Sequence, residues 1–227
     1  MWNQKKKQHL NISILIVFGL ITLFVAMSSV MREHSVENPK NTSYLSNGSV
    51  VKEIKEMNLK TALDLGLEEA RKWSEFAKPV EVLSGDDGDN TVGIRGANGN
   101  RYSWSLLFVD EKDSKYYYIK ILNGKIISQK EAQGYRFGPI KTTSNIINSD
   151  KALEIAIKAY NLKPGQAWAI GYHYMLTQPK NFPIITVFGY SPDGKFSSVE
   201  INAETEEVLT SKKKDYDQSG KSTWVNY

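Results

Sequence analysis

The chain has 227 residues, a formal net charge of +4 and no cysteine. The absent cysteine excludes disulfides, thiolate zinc sites, cysteine nucleophiles and lipid attachment through an N-terminal cysteine. Lys5, Lys6, Lys7 and Arg32 against Glu33 hold most of the charge within residues 1–33, so the remainder is near neutral and lacks the basic surface that nucleic-acid binding draws on.

The lysine triplet opens the first readable element. It is followed by Leu10 to Val30, in which the polar side chains, Asn11, Ser13 and Thr22 with Ser28 and Ser29 at the end, are all uncharged. A helix of about 20 apolar residues, at about 1.5 Å each, crosses a hydrocarbon core of about 30 Å. The lysines are expected to stay in the cytoplasm, which exports the rest of the chain. The expected layout is a cytoplasmic tail over 1–9, a transmembrane anchor over 10–30 and a polar stalk over 31–57. A cleaved signal peptide is the rival reading, with Ala26-Met27-Ser28 as small residues for the peptidase. The apolar run exceeds the ~7–15 residues of a signal-peptide core, which favours the anchor. Asn41-Thr42-Ser43 and Asn47-Gly48-Ser49 match the glycosylation pattern, which matters only in a eukaryotic secretory pathway.

Residues 58–133 read as one helix and four strands. In NLKTALDLGLEEARKWSEFA, Leu59, Leu63, Leu67, Ala70, Trp73 and Ala77 recur at three- and four-residue steps, the period of one helix face. Asn58 or Thr61 can cap its start, and Pro79 reads as its stop. PVEVLS is a short strand. RYSWSLLFVD alternates, with Tyr102, Trp104, Leu106 and Phe108 on one face. KYYYIKIL sets Tyr117 opposite Tyr116 and Tyr118, Asn123-Gly124 is a two-residue hairpin signal, and KIISQK closes the half.

After a linker over 134–147 the series repeats. NSDKALEIAIKAYNL is a helix, with Ser149 as its cap, Asp150 at the positive end of the dipole and a stripe of Ala152, Leu153, Ala156, Ile157 and Tyr160. WAIGYHYML, FPIITVFGY, KFSSVEIN and EVLTS follow as strands, joined by turn chemistry at Ser191 to Gly194 and Asn202 to Glu206. Residues 214–227 read as a polar C-terminal tail. The expected fold is α+β, with two tandem modules of one helix on a four-stranded antiparallel sheet.

The second half, SDKALEIAIKAYNLKPG, GYHYML, ITVFGYSPDGKF and VEINAETEEVL, resembles the PepSY and propeptide-like families of small cystatin-like modules. The resemblance covers residues 148–213, and residues 58–131 only by element order. Glu206 stands where the family usually has glycine. The resemblance implies a membrane-anchored bacterial envelope protein whose modules bind and modulate peptidases or assist folding, with no catalytic residue to carry over.

The search for chemistry ends in the same place. His9 and His34 flank the apolar run, which leaves His173 as the one histidine of the folded part. No Gly-x-Ser-x-Gly elbow is present, and one histidine cannot by itself make a zinc site. Strand alternation in WAIGYHYML puts Trp168, Ile170, Tyr172, Tyr174 and Leu176 on one face and His173 on the other, with no evident partner. Asp86, Asp87 and Asp89 in GDDGDN could offer oxygens to calcium, but their order does not fit an EF-hand and a solvated turn is the plainer reading. The pairs Glu68-Glu69 and Glu206-Glu207, with Glu204, read as solvated charges. The sequence therefore predicts no catalytic, cofactor-binding or metal site and no cofactor. It predicts a non-enzymatic extracytoplasmic binding module, held to the membrane by residues 10–30, with a protein or peptide partner such as a peptidase. An architectural envelope component is the alternative, and a cell-wall hydrolase is the more remote one.

Overall fold

The computed structural model describes residues 55–86, 94–133, 137–166, 169–217 and 220–226. These fall in one compact unit. The element order is α1 (Leu59–Trp73), β1 (Ala77–Gly85), β2 (Ser103–Asp110), β3 (Lys115–Leu122), β4 (Lys125–Ala132), α2 (Ser149–Tyr160), β5 (His173–Thr177), β6 (Ile184–Tyr190), β7 (Phe196–Asn202), β8 (Val208–Tyr216) and β9 (Ser222–Asn226).

The expectation of two tandem modules is overturned by the strand pairing. All nine strands form one antiparallel sheet in the order β4-β3-β2-β1-β5-β6-β7-β8-β9. Each half folds as a meander, but the first strands of the halves pair with each other: Glu81 faces Thr177, Val82 faces Leu176 and Leu83 faces Met175. The physical reason is burial. β1 and β5 carry apolar side chains that two separate modules would leave on exposed edges. Here Val82 and Leu176 are both fully buried.

Both helices pack on the same face. Leu59, Ala62, Leu63 and Ala70 of α1 and Ala152, Leu153 and Ala156 of α2 share one core with Val82, Trp104, Leu106, Phe108, Tyr174, Leu176, Val187 and Ile201 of the sheet. A Cβ at Gly66 would stand 2.6 Å from Leu106 Cδ2, so the glycine lets α1 approach β2 closely. The helices also meet at their starts. Asn58 caps α1, accepting from Thr61 N–H at 2.9 Å. Asn148, not the expected Ser149, caps α2. Ser149 Oγ instead accepts from Leu59 N–H at 3.0 Å and donates to Gly99 O at 2.6 Å, tying α1, α2 and the loop before β2 together.

Other boundaries move for local reasons. α1 ends at Trp73, where the Ser74 backbone N–H still reaches Ala70 O. Ala77 begins β1, and Pro79 lies inside that strand beside a bulge rather than stopping the helix. Ile157, placed on the apolar stripe of α2, is 40% exposed. β5 begins only at His173, because Gly171 takes φ +78° and interrupts extended structure. The expected polar tail completes β8 and supplies β9. Asn123 and Gly124 both take positive φ, as the hairpin signal requires. Glu206 has φ +66°, the left-handed conformation that glycine fills most easily. Among the described residues no helix is long and apolar enough to cross a membrane; the anchor expected over 10–30 lies outside the described residues.

Candidate functional site

Two features of the sheet hold chemistry that the core does not need. The first is a polar cluster at the junction of β1 and β5. Arg101, fully buried just ahead of β2, aims its guanidinium at both halves. Nη2 donates to Gly85 O at 2.9 Å and to Asp86 Oδ1 at 2.5 Å, while Nη1 donates to Ile170 O at 3.2 Å and Tyr172 O at 3.3 Å. Two nitrogens of one planar group thus serve four acceptors on both halves, while the buried Nε has no hydrogen-bond partner. The loop before it is locked as well: Tyr174 Oη donates to Gly96 O at 2.5 Å, and Tyr172 N–H donates to Arg95 O at 2.9 Å. At Gly171 a Cβ would fall 2.1 Å from Arg95 O, so only glycine fits that contact.

His173 sits in this cluster and is buried. It points away from Tyr172 and Tyr174, which lie in the helix-side core, as the alternation predicts. It does have partners, however. Nδ1 lies 3.2 Å from Ser84 Oγ, and Nε2 lies 3.2 Å from Asp86 Oδ2, off the line of a well-aligned hydrogen bond. Sequence reasoning missed both because Ser84 and Asp86 are 89 and 87 positions away and meet His173 only through the β1–β5 pairing. Burial lowers the His173 pKa, the Arg101 charge lowers it further, and Asp86 opposes them. Burial would raise the Asp86 carboxyl, but His173 and Arg101 outweigh it and hold the pKa at about 2.

Ser84, His173 and Asp86 include the residue types of a hydrolytic triad, but the geometry is that of a clasp. Ser84 is buried, and its Oγ already accepts Tyr174 N–H at 2.9 Å. Asp86 is committed to Arg101, with Arg95 Nη1 3.7 Å away. A nucleophile needs an open approach and a base free to take its proton; here the serine is part of the backbone ladder. Asp87 and Asp89 lie outside the described residues, and among the described residues no group of three potential ligands comes together around a metal-sized site. Glu68, Glu204, Glu206 and Glu207 are exposed. Glu69 pairs with Lys72 at 2.7 Å on the surface of α1.

The second feature is the far end of the helix-free face. Register places Phe188 of β6, Phe196 of β7, Lys214 of β8 and Trp224 of β9 on the side opposite the core residues Val187 and Val199. Phe188 and Phe196 stack at 5.9 Å, Tyr190 meets Phe196 edge-on at 6.0 Å, and Phe196 and Trp224 are 5.7 Å apart. Lys214 Nζ lies 5.8 Å from the Phe196 ring and 5.9 Å from that of Trp224. Burial against these rings lowers its pKa. Lys212, on the same face as Lys214, pairs with Glu200 at 3.3 Å; nearby, Lys195 pairs with Asp215 at 2.6 Å and Lys213 with Asp193 at 2.8 Å. At the other end, Tyr117 stacks on Trp73 at 4.9 Å on the helix side, while Tyr116 and Tyr118 pack with Val80, Leu107 and Val109 on the opposite side.

The two sheet edges differ. β4 carries Lys125, Lys130 and Glu131 and pairs with β3 through a bulge. Charges and bulges on an edge discourage further strand pairing. β9, STWVN, has neither charge nor proline, and its register with β8 is unbroken.

No known protein-family model matches the chain, and no curated protein matches it in sequence. Among solved structures, one named "putative lipoprotein", from Clostridium difficile 630, is similar, with 13% identity over 74% of this chain and 99% of that one and a TM-score of 0.48.

Proposed function

We propose that the chain is a non-enzymatic binding module of the bacterial envelope, tethered by residues 10–30 with the sheet domain outside the membrane, that takes an extended strand from a partner at β9, an edge strand among the described residues. The observation that carries this reading is the contrast between the guarded edge β4 and the unguarded edge β9. An added strand gains main-chain hydrogen bonds from the edge and side-chain contacts from the row that ends at Trp224. The lysine triplet and apolar run of the N-terminal segment support the tether. The resemblance of residues 148–213 to the PepSY and propeptide-like families supports a partner of the peptidase class. The clasp at Ser84, His173 and Asp86 is assigned to joining the halves.

The test is capture of a partner from intact envelopes by the full chain and by Asn226→Pro, which removes a backbone donor from the outer edge. A partner retained by the parent chain and lost from the variant is the expected result. Equal capture by both, or none by either, would overturn the assignment to β9.

A further inference from the structure

We infer that the strand received at β9 is, in the isolated protein, β9 of a second copy of this chain, paired about a twofold axis through Trp224. This rests on the proposed use of that edge and names its partner.

The argument begins with the direction of the backbone groups. Asp217 N–H donates to Lys221 O at 3.1 Å, and the same register continues through Asp215↔Thr223 and Lys213↔Val225. Hydrogen-bonded and non-hydrogen-bonded pairs alternate along an antiparallel ladder. Thr223 and Val225 therefore turn their amides and carbonyls toward β8, and Ser222, Trp224 and Asn226 turn theirs outward. A twofold axis at Trp224 sets Trp224 against Trp224 of the other copy and Ser222 against Asn226. Every outward group then meets an outward group, giving about six main-chain hydrogen bonds.

The side chains agree with this register. β9 contains only Ser, Thr, Trp, Val and Asn, so self-pairing opposes no like charges. The same operation on β4 about Ser128 would have to accommodate its bulge. The axis is perpendicular to the sheet, so directly opposed residues stay on one face. The row Tyr190, Phe196, Lys214, Trp224 then continues into the Trp224 of the second copy. Trp224 itself is only half-buried at the end of this row, so a second copy's Trp224 can cover it. An aromatic pair across strands contributes beyond its area.

The absence of native cysteine gives a clean test. Thr223 of one copy faces Val225 of the other as a non-hydrogen-bonded pair, with Cα atoms about 4.5 Å apart, within disulfide reach. Thr223→Cys and Val225→Cys chains are made separately in the full-length protein, mixed and oxidised, with sedimentation of the parent chain and of Asn226→Pro alongside. Proline at that position removes only an outward donor and is tolerated on an edge. The expected result is a disulfide dimer in the mixture and little in either variant alone, with a parent dimer that becomes monomeric in Asn226→Pro. A monomeric parent with no cross-link would overturn the inference, and so would cross-linking by one variant alone as efficient as in the mixture. If the parent is monomeric but still captures an envelope partner that Asn226→Pro loses, the self-pairing falls and the proposed function stands. If capture fails as well, both fall.

Discussion

Arg101 is the side chain whose removal leaves most unsatisfied. Its guanidinium serves Gly85 O, Ile170 O, Tyr172 O and the Asp86 carboxylate. Arg101→Ala strands these acceptors in a buried site, and breaking a buried pair by removing one partner costs about 3–5 kcal/mol. The expected outcome is a fall of that size in denaturant unfolding free energy, and Arg101→Lys should recover only part of it because a point charge cannot reach both strands. The same cluster sets an acid limit. His173 has a folded pKa below its ordinary 6.5, so the unfolded chain binds the proton first. Its contribution is present above about pH 6.5 and is lost as the pH falls below that value. Asp86, at about 2 against an ordinary 3.8, adds a second loss between those values. Denaturant melts across pH should show stability declining from about pH 6.5 downward, and His173→Gln should remove the upper part of that decline and shrink the lower part as well, because His173 helps Arg101 to hold the Asp86 pKa down. A curve identical in the variant would show that His173 does not titrate between the two states. The identity of the clasp was hidden in the sequence: alternation gives the face that His173 occupies, but not the Ser84 and Asp86 that a distant pairing delivers to it.

At the level of elements, local pattern and outcome agree wherever neighbouring residues decide. The period of Leu59, Leu63 and Ala70 gives α1, and Asn123-Gly124 gives the β3–β4 hairpin. Local pattern fails where a distant contact decides. Ser149 has the chemistry of a cap, yet its hydroxyl is taken by Leu59 N–H and Gly99 O. Lys-Ser-Thr-Trp-Val-Asn has the β propensity of a strand, and the preceding Asp217 to Gly220 has turn chemistry, but flanking lysines and aspartates make the segment look like a solvated tail. The Asn202–Glu207 turn yields a direct prediction. Glu206 holds a left-handed conformation at a cost of roughly 1 kcal/mol for a residue with a Cβ, and its contact with Lys151 is an exposed one at 3.8 Å. Glu206→Gly should therefore raise stability by a few tenths to about 1 kcal/mol, the gain being reduced by the greater freedom of glycine in the unfolded chain. A thermal shift in the opposite direction would mean that the ion pair or the unfolded-state term dominates.

For the whole molecule, the repeated order of helix and strands is legible, and the joining of the two halves into one sheet is not. The clue lies in the first strands. VEVLS and HYMLT carry little of the charge that guards an exposed edge, and in the folded chain they cover each other. Burial of Val82, Leu176 and their neighbours at this seam, each contributing about 1.5–3 kcal/mol, couples the halves. The described unit should unfold in a single transition, with circular dichroism and tryptophan fluorescence coinciding, and a chain cut after residue 133 should show no cooperative melt. Two separable transitions would contradict the continuous sheet. The same reasoning, carried to β9, makes that edge the place where the molecule accepts another strand. Residue-resolved amide exchange along β9 in the full-length protein tests it most directly. An occupied edge predicts protection at Ser222, Trp224 and Asn226 as well as at Thr223 and Val225. Protection confined to Thr223 and Val225, with the other three exchanging as free amides, would contradict it.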